Sequence, residues 1–305
     1  MTRHPHTHDD HAHHQPGGHA HGDASHAVDW AVFGTLLEKN ADLNTPALEE
    51  TAEWLRGLLA VPVRRALDVG SGPGGATCLF ARAFPDAEVV AVDGTPELLE
   101  RAHARAERLG VADRVRTHLA ELPDGLADMG EADLIWSSKA VHHLGDQQGA
   151  LDGLAAALRP GGVLAVSEGG LPLRALPRDI GIGRPGLLAR IDAVQDEGFT
   201  EMRAELPGAK EIVEDWPAML GAAGLTGARS RTFLVDHPAP LDAPAREMLH
   251  IELARLHERL ADRLDATDRA TLGRLIDPDD EAGVLRRPDV FWLSAFTVHA
   301  AVKPR

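Results

Sequence analysis

The run Gly70-Ser71-Gly72-Pro73-Gly74-Gly75 follows the apolar segment Ala66-Leu67-Asp68-Val69 and leads into Ala76–Phe84, whose apolar residues recur at helical spacing. Glycines let a backbone turn sharply and approach a ligand closely, and the amino terminus of the helix that follows presents unpaired N–H groups. Gly70, Gly72 and Gly75 stand in the register of the dinucleotide fingerprint, and Asp93 lies about 20 residues further on. Alone, this loop specifies an adenosine-type cofactor. Two further clusters could move protons. His142-His143 carries imidazoles that titrate near neutrality, and Glu168 supplies a carboxylate.

Strands and helices must bring these groups together. Arg65–Val69, Glu88–Val92, Arg114–Leu119, Ala132–Trp136 and Val163–Ser167 read as strands. Between them, Ala76–Phe84, Pro96–Leu109 and Gln147–Leu158 read as helices, and Arg159-Pro160-Gly161-Gly162 as a turn. Repeated βα units of this length imply a parallel sheet covered on both faces. In such sheets ligands sit at the carboxyl ends of the strands, which is where the glycine loop, Asp93, His142, His143 and Glu168 all fall.

The flanks are different. Residues 1–26 hold nine histidines (His4, His6, His8, His11, His13, His14, His19, His21, His26) among Gly, Pro, Asp and Ala. With no apolar period this segment is expected to be a disordered tail, able at most to bind zinc, nickel or copper weakly. One amino-terminal helix is expected through Val28, Trp30, Phe33, Leu36 and Leu37, and a second from Thr45-Pro46. Trp30 and Phe33 could close over a cofactor or pack in the core. Beyond residue 170 come an amphipathic helix through Leu187, Leu188, Ile191 and Val194, a helix Glu211–Ala223 and a strand Arg229–Val235. A long helix through Leu249, Leu253, Leu256, Leu260 and Leu264 and a last strand at 290–302 complete the chain. His250 and His257 are read as the surface of that helix. The organisation is thus a tail (1–26), amino-terminal helices (27–62), a cofactor-binding core (63–170) and the remaining sheet (171–305). Two helical insertions, 171–208 and 240–288, are expected to cap the site.

Asp68, two residues before the first glycine, is an odd neighbour for a pyrophosphate but suits the ammonium and sulfonium end of S-adenosylmethionine. Here the sequence resembles the class I S-adenosylmethionine-dependent methyltransferases. Leu67-Asp68-Val69-Gly70-Ser71-Gly72-Pro73-Gly74 is similar to that family's first motif, and Asp93 in Val92-Asp93-Gly94-Thr95-Pro96 to its ribose-binding acid. Ala132–Trp136 with Val141-His142-His143-Leu144 resembles its fourth strand and loop, and Leu158-Arg159-Pro160-Gly161-Gly162 its turn before strand five. The resemblance covers residues 60–235 and the last strand. It implies an α/β, Rossmann-like, doubly wound seven-stranded sheet with an antiparallel last strand. It implies S-adenosyl-L-methionine as cofactor, with contacts from Asp68, Gly70, Ser71, Gly72, Gly74, Asp93, Gly94, Leu119, Ala120 and Ser137. One position departs from the family. Where an acid usually faces adenine stands His118, which leaves adenine to the backbone at Leu119–Ala120 or to Glu121. The catalytic candidates are His143, His142 and Glu168, with His143 slightly preferred as base.

Composition narrows the acceptor. A net charge of −16 repels phosphate backbones, so a small molecule is expected and nucleic acid is not. No apolar run reaches the roughly 20 residues of a membrane helix, and a cytoplasmic protein is expected. The single cysteine, Cys78, reads as a small buried hydrophobe. The chain has no tyrosine, which weakens the rival reading of an NAD(P)-dependent oxidoreductase. A second rival is a non-catalytic sensor that binds S-adenosylmethionine or, through the histidine tail, a metal.

Overall fold

The computed structural model describes residues 30–305. The histidine tail, and the helix start expected at Val28, lie outside the described residues. Apolar segments buried on both faces build the centre of a seven-stranded sheet. In chain order its strands are β1 (Arg65–Val69), β2 (Glu88–Asp93), β3 (Val115–Leu119), β4 (Ala132–Ser138), β5 (Leu158–Arg174), β6 (Thr226–His237) and β7 (Trp292–Val302). The spatial order is β3-β2-β1-β4-β5-β7-β6. β1 to β5 pair in parallel, and β7 inserts antiparallel to both β5 and β6. This is the α/β sheet with an antiparallel last strand that the resemblance implied.

The helices are α1 (Trp30–Leu58), α2 (Gly75–Ala83), α3 (Pro96–Arg108), α4 (Gln147–Ala156), α5 (Leu187–Glu205), α6 (Trp216–Ala222), α7 (Ala243–Arg259) and α8 (Ala266–Ile276). One face of the sheet packs Leu134, Trp136, Val163 and Ala165 with Phe80 of α2 and Leu55 of α1. On the other face, Ile135, Leu164 and Val166 meet Leu151 and Leu154 of α4 and Trp216, Met219 and Leu220 of α6.

Four sequence expectations change. The two amino-terminal helices are one, with Pro46 inside α1. An internal proline costs about 3 kcal/mol in a helix. Here Asn44 Nδ2 donates to Asn40 O (2.7 Å) and Thr45 Oγ1 to Ala41 O (3.1 Å), while Ala47, Thr51, Ala52 and Leu55 are buried against the core. Arg159–Gly162 is an irregularity within β5, not a free turn: Ala132 pairs with Leu158 and Leu134 already with Val163. The helix expected at Glu211–Ala223 begins at Trp216, where Asp215 caps it by accepting from Ala218 N (3.1 Å). The long second-insertion helix breaks after Arg259, and α8 starts from the Asp265 cap. His250 and His257 are accordingly half-buried between α7 and α8. His250 Nε2 lies 2.8 Å from Ile276 O, and His257 Nε2 lies beside Gly273.

Candidate active site

The glycine loop forms where β1 ends. Gly70, Gly72 and Gly74 have φ of 74°, 52° and 77°, a region that side chains disfavour. A β-carbon on Gly70 would stand 2.6 Å from Ala140 Cβ, and one on Gly74 2.7 Å from Ala102 Cβ. The loop therefore lies close against the β4 loop on one side and α3 on the other. Gly70 N and Ser71 N donate to Val92 O at 2.9 and 3.0 Å, which ties it to β2. Ser71 is buried.

Asp93 ends β2. Its carboxylate accepts from Gly72 N (2.8 Å) and Thr95 N (2.9 Å), one on each oxygen. Each oxygen keeps a second lone pair, and the residue is half-buried with Gly94 beside it. Asp68 is buried and turned to α2, where Thr77 Oγ1 donates to its Oδ2 at 2.5 Å. Burial pushes its carboxyl up to about 7, against the pull of the Thr77 hydroxyl and backbone N–H, and the Asp93 charge adds a smaller push. At the end of β3, Leu119 is 59% exposed. The Ala120 N–H is already spent on Asp93 O (3.1 Å), so of the backbone offered to adenine this donor is used.

His142, His143 and Glu168 meet. His142 Nδ1 lies 2.6 Å from Glu168 Oε2, and His142 Nε2 lies 3.1 Å from His143 Nε2. Both histidines are half-buried, and Glu168 is only 4% exposed. Two residues that sequence reasoning missed hold this pair from α5. Arg203 donates to the carbonyls of His142 (2.8 Å) and Leu144 (2.6 Å), and the Phe199 ring meets that of His142 edge-on at 5.4 Å. Neither has a local signal, because α5 lies some 60 residues downstream of the histidines it touches. The segment after α5 adds Lys210 N to Gly145 O (3.0 Å), the Lys210–Asp146 ion pair and Gln147 Nε2 to Glu214 (2.9 Å).

The first insertion thus adjoins the histidines. The second is placed differently: it ties to α1 and α5 through Lys39–Glu247, Arg263–Glu201 and Arg190–Asp268. Phe33, a candidate lid residue, packs on the core with the Arg255 guanidinium 4.9 Å over its ring, and Trp30 meets it edge-on.

Several observations fit a cationic adenosyl ligand. Gly70 and Gly74 let the loop lie against the β4 loop and α3, and the adjacent strands β1 and β2 each carry a carboxylate at or next to the last residue. Among the described residues, Ser137 Oγ near the end of β4 and Glu168 Oε1 in β5 are buried atoms without a hydrogen-bond partner, as are Gln147 Oε1, Trp136 Nε1 and Arg105 Nε. A sheet ordered 3-2-1-4-5-7-6, with a glycine loop after β1 and an acid as the last residue of β2, is that of an S-adenosylmethionine-dependent methyltransferase.

Comparison with known proteins gives the same class. Residues 67–164 match the family described as "Methyltransferase domain". The trans-aconitate 2-methyltransferase of Methylobacterium radiotolerans is 30% identical over 260 residues, which cover 82% of this chain and 87% of that one. The 27-O-demethylrifamycin SV methyltransferase of Amycolatopsis mediterranei is 32% identical over 132 residues, 42% of this chain and 48% of that one. A solved S-adenosylmethionine-dependent methyltransferase from Thiobacillus denitrificans, in complex with S-adenosyl-L-homocysteine, is 20% identical with a TM-score of 0.46, covering 83% of this chain and 90% of that one. The chain belongs to the class I S-adenosylmethionine-dependent methyltransferases; it is an enzyme, and S-adenosylmethionine is its cofactor. No helix among the described residues is long and apolar enough to cross a membrane.

Proposed function

We propose that this enzyme methylates a small molecule at an oxygen or nitrogen that gives up a proton, and that Glu168, His142 and His143 remove that proton. The observation that carries the reading is the contact of His142 Nδ1 with the buried Glu168 carboxylate at 2.6 Å. A carboxylate accepts only, so His142 carries its proton on Nδ1, and its Nε2 in the neutral ring is an acceptor. His143 then donates from Nε2 across the 3.1 Å gap, and the acceptor's proton is taken up by this coupled pair of rings. The resulting positive charge spreads over two rings backed by a carboxylate. When bound, S-adenosylmethionine supplies an electrophilic methyl carbon. The chain's part is alignment and the proton. Asp93, with Gly94, holds the ribose hydroxyls; Gly70, Ser71, Gly72, Gly74 and Asp68 hold the methionine end; Leu119 packs on the adenine, with Ala120 and Ser137 beside it.

The acidic chain favours a small acceptor over nucleic acid. A carboxylate acceptor such as trans-aconitate is already ionised and needs no base, so the two chemistries separate in one experiment. Methyl transfer from labelled S-adenosylmethionine is measured to a panel of phenols, enols and amines, with trans-aconitate included. His142→Ala and His143→Ala should each lower kcat on a proton-bearing acceptor by about 100-fold, with KM for S-adenosylmethionine unchanged. Turnover of trans-aconitate alone, at the same rate in both variants, would overturn the proton-acceptor role.

A further inference from the structure

The Glu168 carboxylate can meet His142 only if the backbone that carries it is held still, and the sheet does not do this by its ordinary ladder. Along β5, Ser167 pairs with Val298 of β7, and the next paired residue is Gly170 with Phe296. Three steps on β5 oppose two on β7, a bulge that skips Glu168 and Gly169. The bulge is built from Gly169 (φ 71°) and Gly170 (φ 129°), and a β-carbon on Gly170 would fall 2.1 Å from Ala295 O. Only glycine fits there, so the irregularity is specified by the sequence. Bulges of this kind re-aim a side chain next to a site.

His299 of β7 reaches across the gap. Its Cα pairs with Val166 on one side and Ser230 of β6 on the other, and its Nε2 lies 3.3 Å from Glu168 O. Its Nδ1 lies 2.7 Å from Ser230 Oγ, and its ring stacks on Trp216, the first residue of α6, at 6.3 Å and 27°. A carbonyl can only accept, so the His299 proton is on Nε2, and Ser230 donates its hydroxyl to Nδ1. Burial holds His299 below the ordinary histidine range, against the opposing pull of the Glu168 backbone, the Glu168 charge and the Asp215 charge. It is thus kept in the neutral form, with the one N–H this arrangement uses.

We propose that His299, oriented by Ser230 and Trp216, is a positioning residue for methyl transfer: it anchors the Glu168 carbonyl across the β5 bulge and so holds the Glu168 carboxylate on His142. This inference rests on the proton-acceptor reading above. It adds a residue 131 positions away from Glu168.

The test uses the full chain with 15N-labelled histidine. A 2.6 Å imidazole–carboxylate contact gives its Nδ1 proton a far-downfield resonance, assigned by its loss in His142→Ala. In His299→Leu that resonance should move upfield or vanish by exchange with water, while S-adenosylhomocysteine affinity stays within twofold of wild type. His299→Gln, which places a donor near the position of Nε2, should restore it. Ser230→Ala, at an exposed position, should produce a partial shift and serves if His299→Leu does not fold. With any panel acceptor that turns over, His299→Leu should lower kcat roughly tenfold at unchanged KM for S-adenosylmethionine. A wild-type spectrum with no such line would overturn the Glu168–His142 pair, and the positioning role with it. A line that is present and unmoved in both His299→Leu and Ser230→Ala would overturn the positioning role alone and leave the pair standing.

Discussion

Asp68, proposed above to meet the methionine end of the cofactor, is also a deeply buried carboxyl, and Asp68→Asn separates the two roles. The carboxyl is 2% exposed, and burial pushes it from 3.8 to about 7. Its folded value lies above its unfolded one, so the folded chain binds the proton more tightly. The stability this confers is complete below pH 3.8, declines as pH rises, and is lost once pH passes about 7. A gap of about three pH units at 1.36 kcal/mol each amounts to about 4 kcal/mol. Asparagine still accepts from Thr77 Oγ1 through its amide oxygen and carries no charge at any pH. Ligand-free Asp68→Asn should therefore match wild type near pH 4 and exceed it by about 4 kcal/mol at pH 8, roughly 10 °C in Tm for a chain of this size. A cation against Asp68 favours its ionised form. Wild-type affinity for S-adenosylmethionine should accordingly rise as pH increases through 7, and affinity of the asparagine variant should stay flat. The assay is urea unfolding from pH 4 to 8, with and without the cofactor, alongside calorimetric titration. Parallel stability curves for the two proteins across that range would refute the argument, because a buried carboxylate that ionises at no cost is not desolvated.

Four further outcomes follow from the same geometry. Asp93→Ala removes the carboxylate that accepts from Gly72 N and Thr95 N, and should weaken S-adenosylhomocysteine binding about 100-fold by calorimetry, while NADH and NADPH bind neither protein. Gly74→Ala combines a φ of 77° with a β-carbon 2.7 Å from Ala102 Cβ and 2.9 Å from its Cα, and should cost about 3 kcal/mol by urea unfolding. Gly224→Ala, with a φ of 81° and open space around it, should cost only about 1 kcal/mol. Burial pushes the Cys78 thiol up to about 11, so it should not react with a thiol reagent at pH 8 until the chain is unfolded; fast labelling of the folded enzyme would contradict its packing.

The groups that were legible in the sequence are those whose partners are close along the chain. The glycine loop announces itself because a strand end, a left-handed turn and a helix start must be adjacent for a backbone to approach a ligand, and all three lie within residues 66–76. Strand β1 was read at its observed bounds, since a strand buried on both faces is a continuous apolar run. Pro46 misled because local propensity says "start" there, and only packing of Ala47 and Leu55 against the sheet carries α1 through it. Arg159–Gly162 has turn residues and sits in a strand for the same reason: neighbouring strands, not the segment itself, set its pairing.

The groups proposed to handle the proton show the limit most clearly. His142, His143 and Glu168 could be named as candidates from their places after β4 and β5, but the residues that support them could not. Arg203 and Phe199 arrive from an insertion with no motif, and His299 from the last strand. What joins His299 to Glu168 is the antiparallel insertion of β7 between β5 and β6, which sets Val166, His299 and Ser230 side by side. A chain that ended before β7 would keep every residue of the glycine loop and both histidines, yet its Glu168 would hang from a strand with no neighbour on that side. On the positioning role proposed for His299, the late antiparallel strand is a working part of the site.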